Sequence, residues 1–275
     1  MKIQEIETNN YITKSNLPDA DFVINPYTGC PHKCIYCYAE FMKRFTNHTE
    51  DWGEFLDIKR CAKIFDPKTI AVDSVVLFGS VTDAYNPFES KYKITRQILD
   101  ELAGCLGRIE ILTKSDLVLR DIDLIKKIPN IKVGISMNSL DDNFRSETEI
   151  RAASVEKRIN ALKTLKENGI STYLFMSPIF PGITDFRTII ERTKGLFEYV
   201  CFENLNLRGG YMPRVLNYIH EKYPELDGLY NDIYKKKNNA YWEELKREIV
   251  QYCKHQGIDY RIYFYHDQIK KNANV

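Results

Sequence analysis

Three cysteines lie within eight residues in the segment Asn25-Pro-Tyr-Thr-Gly-Cys30-Pro-His-Lys-Cys34-Ile-Tyr-Cys37-Tyr38, at the spacing C-x3-C-x2-C. Gly29 and Pro31 favour a sharp loop that turns three thiols toward one point. Thiolates so spaced can hold three corners of a [4Fe–4S] cube, for which ferredoxin-type runs supply a fourth cysteine close by. No fourth cysteine is close here, so one iron would stay open to another ligand. Two other readings compete. Structural zinc would need a further donor, with His32 or the Cys253 and His255 pair as candidates, but the chain carries no second knuckle. Three unliganded core thiols would not be expected in a polar loop rich in Gly and Pro. Cys61, Cys105, Cys201 and Cys253 are read as bystanders, with Cys201 inside a strand from which it could face a barrel interior.

The elements around this loop must bring further groups to it. From Phe22 to Asn206 short apolar runs alternate with amphipathic stretches. The predicted strands are Phe22–Ile24, Ser74–Phe78, Arg108–Leu112, Ile131–Ser136, Ser171–Met176 and Tyr199–Leu205. Near-continuous apolar runs of this kind suit parallel strands buried on both faces. Between them Ile94, Ile98, Leu102 and Cys105 keep a helical spacing, as do Val118, Ile122 and Ile125, and Val155, Ile159, Leu162 and Leu165. Gly169 falls where a left-handed helix cap is wanted. Six alternations predict an α/β fold of βαβ units with its chemistry at the C-terminal ends of the strands. After Gly209-Gly210 the pattern turns helical, aromatic and charged. The expected organisation is a lead-in over residues 1–19, a barrel-like unit over 20–208, and a C-terminal helical extension over 209–275 packed on it.

Composition narrows the function classes. The 275 residues hold 39 basic and 38 acidic side chains, a net charge of +1, and 44% hydrophobic residues. That much apolar content excludes a disordered chain, and the charge balance gives no general reason to expect a polyanion partner. No apolar run approaches the roughly 18 residues of a membrane span, and the start is polar, so a cytoplasmic protein without a membrane partner is expected.

The cysteine loop, with an aromatic residue, Tyr36, just before its third cysteine, resembles the motif of the radical S-adenosylmethionine (radical SAM) superfamily. The resemblance implies a partial (β/α)6 TIM-like barrel, a [4Fe–4S] cluster on Cys30, Cys34 and Cys37, and S-adenosylmethionine chelated by the open iron. Reductive cleavage would then give methionine and a 5′-deoxyadenosyl radical that abstracts a substrate hydrogen. Gly79-Ser-Val-Thr-Asp83, Ile111-Leu-Thr-Lys114, Ile135-Ser136 and Ser177-Pro-Ile-Phe-Pro-Gly182 are similar to the strand-end motifs of the spore photoproduct lyase-like branch. Phe41-Met-Lys-Arg-Phe45 and Trp52-Gly-Glu-Phe-Leu-Asp57 resemble the group called radical SAM mobile pair protein B.

On that likeness, Tyr36, Tyr38, Ser80, Thr82, Asp83, Lys114 and Ser136 are the cofactor-binding candidates. Thr82 and Asp83 would face the S-adenosylmethionine amino group, Lys114 its carboxylate or ribose, and the backbone at Tyr36 the adenine edge. For Asp83 an Asx turn leading to Asn86-Pro87 competes, and for Lys114 a solvated turn. Arg158, with Glu156 and Lys163 nearby, reads as part of a salt-bridged helix face. Ser80 stands where the photoproduct lyases hold a cysteine that returns a hydrogen atom. A serine O–H bond is too strong for that, so the resemblance does not carry thymine-dimer cleavage to this chain.

The substrate-pocket candidates are Tyr85, Glu203, Asn204, Asn206 and Arg208, with Glu89 and the Tyr263–His266 run behind them. Period-two alternation would put Asn204, Asn206 and Arg208 on one face and Glu203 on the other, unless these groups form a buried network closing the barrel. The reading is a radical SAM enzyme, with a nucleic acid or nucleobase substrate suggested by resemblance alone. A cluster-bearing electron-transfer or sensing protein is the alternative, and a zinc-stabilised binding module the third. The implied partners are an electron donor such as flavodoxin or ferredoxin and a second radical SAM protein.

Overall fold

The computed structural model describes residues 1–61, 66–67 and 70–264. The first half of the chain runs β1 (Lys2–Thr8), β2 (Ile12–Lys14), β3 (Phe22–Ile24), β4 (Tyr27–Thr28), β5 (Phe55–Cys61), β6 (Val75–Phe78), α1 (Glu89–Tyr92), α2 (Ile94–Glu101), β7 (Arg108–Thr113) and α3 (Ile122–Ile125). It continues with β8 (Ile131–Ser136), α4 (Asp142–Thr148), α5 (Val155–Glu167), β9 (Ser171–Ile179), α6 (Phe186–Arg192), β10 (Tyr199–Asn204), α7 (Tyr211–Lys222), α8 (Asp227–Tyr230), α9 (Ala240–Gln256) and β11 (Asp259–Ile262).

One eight-stranded sheet has the order β11-β10-β9-β8-β7-β6-β3-β2. Every neighbouring pair from β3 to β11 is parallel, and β2 lies antiparallel on β3. The order does not return on itself, so the architecture is a partial barrel. Its six central strands are those expected from the apolar runs. The local causes are also those in the sequence: Ser154 caps α5 by accepting from the Lys157 N–H, and Val155, Ile159, Leu162 and Leu165 bury one stripe against the sheet. Alternation then separates two faces. Val200 and Phe202 of β10 join the main core with the helices, while Tyr199 and Cys201 face the other way and pack with Tyr173. Gly134 is required there, because a Cβ would stand 2.2 Å from the Tyr173 ring.

Two regions differ from expectation. The first residues are more than a lead-in: β1 pairs in parallel with β5, and β4 pairs antiparallel with β5, making a small second sheet beside the cysteine loop. Lys2–Thr8 is mostly polar and mostly exposed, so its strand character comes from pairing with β5 rather than from an apolar pattern. At the other end β10 stops at Asn204, after a register shift between Phe202 and Asn204 against β9. Asn206 and Arg208 therefore lie in a loop, and the alternation extrapolated through them does not apply. The final apolar run pairs as β11 beside β10, but Tyr265 and His266 lie outside the described residues. Among the described residues no helix is long and apolar enough to cross a membrane.

Candidate active site

The cysteine loop leaves β4 through Gly29, whose φ of +88° and approach to the Phe55 carbonyl, 2.5 Å from where a Cβ would stand, require glycine. Its position is held from three sides. Thr82, just past β6, donates its hydroxyl to the Gly29 carbonyl at 2.6 Å. Asp83 accepts from the Thr113 hydroxyl at 2.7 Å, the Lys114 N–H at 2.8 Å and the Tyr85 N–H at 2.8 Å, and its carboxylate lies 3.4 Å from His32. The Asx turn and the tether to the loop thus occur together at Asp83. Burial, only partly countered by Asp83, pulls the His32 pKa down and favours the neutral ring.

The third tether is a buried charge pair. Glu149, at the end of α4, accepts from the Tyr36 hydroxyl and from the Arg158 guanidinium, and both Glu149 and Arg158 are buried. Arg158 also donates to the Ser136 carbonyl at 3.0 Å and the Ala153 carbonyl at 2.9 Å. Arg158 is therefore an interior group. The exposed helix-face reading fails because Glu156 and Lys163 pair elsewhere, with Arg192 and Glu167. Burial opposes ionisation of Glu149, but Arg158 and Lys114 outweigh it and hold the carboxyl below its ordinary value. Burial and the Glu149 charge push the Tyr36 phenol well up.

Lys114, directly after β7, faces Glu149 and Cys34. Its ammonium lies 6.0 Å from the centre of the Tyr36 ring and has no ion pair among the described residues. Burial works against its charge, yet Glu149 and Cys34 facing it raise its pKa. Of the other strand-end candidates, Ser80 accepts from the Asn25 amide at 3.0 Å, and its carbonyl accepts from the Tyr38 hydroxyl. Ser136 donates to the Ser177 carbonyl at 3.3 Å. Glu203 accepts from the Ser177 hydroxyl, Asn204 is buried, and the Asn206 carbonyl accepts from Tyr211 at 2.6 Å. Arg208 is exposed at the mouth. Tyr85 is fully buried beside Asp121 and Glu89, away from the open cavity.

Burial raises all three thiol pKa values, Cys30 to about 12, so the free thiols are protonated and a metal would have to displace the proton on ligation. Two groups favour the thiolate form: the Trp52 indole N–H donates to the Cys37 sulfur at 3.2 Å, and Lys114 faces Cys34. Among the described residues no three His, Cys, Asp or Glu side chains converge as a single ion would need. Trp52 and Glu149 were missed in the sequence. The signal for the Glu149 partner was available, since Arg158 falls between Val155 and Leu162 on the apolar stripe of α5.

A partial parallel barrel with three thiols at the C-terminal edge of its first strands defines the class. The radical SAM superfamily family model matches residues 24–192, and the chain belongs to that superfamily. It is thus a radical SAM enzyme whose cofactors are a [4Fe–4S] cluster and S-adenosylmethionine. It is 40% identical over 225 residues to an uncharacterized protein of Methanocaldococcus jannaschii, covering 82% of this chain and 85% of that one. It is 25% identical over 162 residues to the radical SAM Nalpha-GlyT isomerase of Pseudomonas phage M6, covering 57% of this chain and 34% of the isomerase. The fold resembles that of spore photoproduct lyase complexed with dinucleoside spore photoproduct, with a TM-score of 0.58 at 15% identity. That match covers 80% of this chain and 66% of the lyase chain.

Proposed function

We propose that Cys30, Cys34 and Cys37 hold the cluster, that Lys114 anchors the cofactor, and that the reaction abstracts hydrogen from a nucleobase-bearing substrate. The observation that carries the reading is the three-thiol loop, with Cys30 buried and Cys34 and Cys37 partly buried, an indole N–H on the Cys37 sulfur, and the Lys114 ammonium, which has no ion pair among the described residues, facing Cys34. When bound, a cluster held by Cys30, Cys34 and Cys37 together with S-adenosylmethionine would supply the reductive radical chemistry of the superfamily. The chain's own residues do the positioning. Lys114 offers a point charge to the methionine carboxylate, and its low-dielectric setting strengthens that contact. Thr82, Asp83 and Ser136 act mainly by fixing the loop and the strand ends, while Tyr36 and Tyr38 wall the adenosine side. Of the substrate candidates, Arg208 lines the open cavity, while Glu203, Asn204 and Asn206 lie at and after the end of β10 leading to it. In this reading residues 20–208 carry the chemistry, 1–19 brace the loop, and Gly209, Gly210, Tyr211 and Arg214 at the start of the extension close one side of the mouth.

The nucleobase assignment rests on the name of the lyase bound to a dinucleoside. Ser80 argues against the lyase's own reaction. The test is anaerobic reconstitution followed by reduction with S-adenosylmethionine, with and without single-stranded oligonucleotides. The reading expects 5′-deoxyadenosine in both and a several-fold increase with the oligonucleotide. No increase with any base composition would remove the nucleobase part and leave the radical chemistry standing.

A further inference from the structure

At the opposite end of the barrel from the cysteine loop, a second cavity of about 500 Å³ opens between the turn before β3, the first residues of β6 and β7, and β11. Since β11 and β3 lie far apart in the sheet order, this cavity crosses the floor of the partial barrel. Both signs of charge face it. Arg108 and Arg261 line it without an ion pair among the described residues, and so does Glu110, which makes no hydrogen bond among them either. Burial raises the Glu110 pKa against the pull of Arg261, Lys132 and Arg108. The other two acids are engaged: Asp19 accepts from the Tyr263 hydroxyl, and Asp21 accepts from the Val75 N–H at 2.9 Å. Behind this wall the Arg261 guanidinium lies 4.3 Å from the centre of the Tyr199 ring, which stacks on Tyr173 at 5.1 Å. Tyr199 is 7% exposed, and its hydroxyl has no hydrogen-bond partner among the described residues. Burial and the Glu110 charge both raise its pKa, so this hydroxyl and the Glu110 carboxylate share one neighbourhood.

We propose that this floor cavity is a binding site for a free α-amino acid with an apolar side chain, separate from the site beside the cysteine loop. The charge pattern selects a zwitterion. An anion alone would meet Arg108 and Arg261 but also Glu110 and Asp19, and a cation alone would meet the acids but also the two guanidinium groups. A ligand with its carboxylate toward Arg108 and Arg261 and its ammonium toward Glu110 answers both through charge-assisted hydrogen bonds. A half-buried carboxylate without a partner is costly, and an ammonium supplies the donors that Glu110 lacks. Pro18, Ala20, Val75 and Ile262 give the side chain an apolar wall, and the volume falls within the roughly 300–1,000 Å³ usual for small-molecule sites. The inference does not depend on what Cys30, Cys34 and Cys37 hold, because no residue of that loop lines the cavity.

The test uses the full, anaerobically reconstituted chain, unreduced and saturated with S-adenosylmethionine so that the other site is filled, and measures L-leucine binding by isothermal titration calorimetry. One saturable site is expected. The analogues 4-methylpentanoate, which lacks the ammonium, and 3-methylbutylamine, which lacks the carboxylate, should each bind at least tenfold more weakly. Glu110→Gln and Arg261→Met should each weaken leucine binding at least tenfold with the fold retained by circular dichroism, and Arg108→Met, on an exposed side chain, gives the same readout should Arg261→Met fail to fold. Absence of saturable leucine binding would overturn the proposal. Equal binding of 4-methylpentanoate would make the cavity a plain anion site and also overturn it, as would affinities unchanged in all the variants, which would put the leucine elsewhere. A chain that binds leucine yet retains no iron and sulfide would overturn the cluster reading and leave this proposal standing.

Discussion

Replacing Glu149 by alanine tests whether the buried pair with Arg158 is what holds the cysteine loop in place. Arg158 is 1% exposed and Glu149 wholly buried, so the variant leaves a guanidinium in the interior with only the Ser136 and Ala153 carbonyls as acceptors. Breaking one partner of such a pair costs about 3–5 kcal/mol. The Tyr36 hydroxyl also loses its acceptor, which sets the expectation toward the upper end of that range. Against a total stability of about 5–15 kcal/mol the effect should dominate the urea unfolding curve of the cluster-free protein. Glu167→Ala removes an exposed pair on the same α5 and should cost under about 1 kcal/mol. The pH dependence follows from the depressed Glu149 pKa. Its contribution is present above the unfolded glutamate value of about 4.3 and is lost as pH falls, so the gap between wild type and Glu149→Ala should narrow below that pH. A loss under about 1 kcal/mol at pH 7, or a gap that widens in acid, would refute the reasoning.

Trp52→Phe removes the N–H donated to the Cys37 sulfur and should move the cluster's reduction potential to a more negative value in an EPR-monitored titration; an unshifted potential would show that the contact does not tune it. Gly29→Ala places a Cβ against the Phe55 carbonyl at a positive φ and should destabilise the chain by more than about 1 kcal/mol, with iron retention falling in parallel. Lys114→Met should weaken S-adenosylmethionine binding ten- to a hundredfold, as the loss of a charge-assisted contact of about 1.5–3 kcal/mol implies, with cluster content unchanged by iron and sulfide analysis.

The six central strands were legible because strands buried on both faces read as apolar runs, and the loop because thiol spacing is local. β1 was not, since Lys2–Thr8 carries little apolar pattern and becomes a strand only beside β5. Asn206 and Arg208 were placed on a strand that ends at Asn204, because a register shift leaves no trace in the alternation of residue types. Most strand-end candidates lie where expected, yet Thr82, Asp83 and Ser136 spend their hydrogen bonds on the loop and neighbouring strands. Lys114 instead keeps its ammonium free of ion pairs among the described residues, 6.0 Å from the centre of the Tyr36 ring. Glu149 and Arg158 escaped because their meeting joins the end of α4 to the inner stripe of α5, and an arginine near acidic and basic neighbours resembles a solvated face until the helix is turned toward the core.

The most direct measurement of the central claim is product analysis on the anaerobically reconstituted chain, reduced in the presence of S-adenosylmethionine, beside a variant with Cys30, Cys34 and Cys37 all changed to alanine. The account predicts iron, sulfide and 5′-deoxyadenosine in the first and none of the three in the second. Iron and sulfide bound without any 5′-deoxyadenosine, or the product persisting in the triple variant, would contradict it.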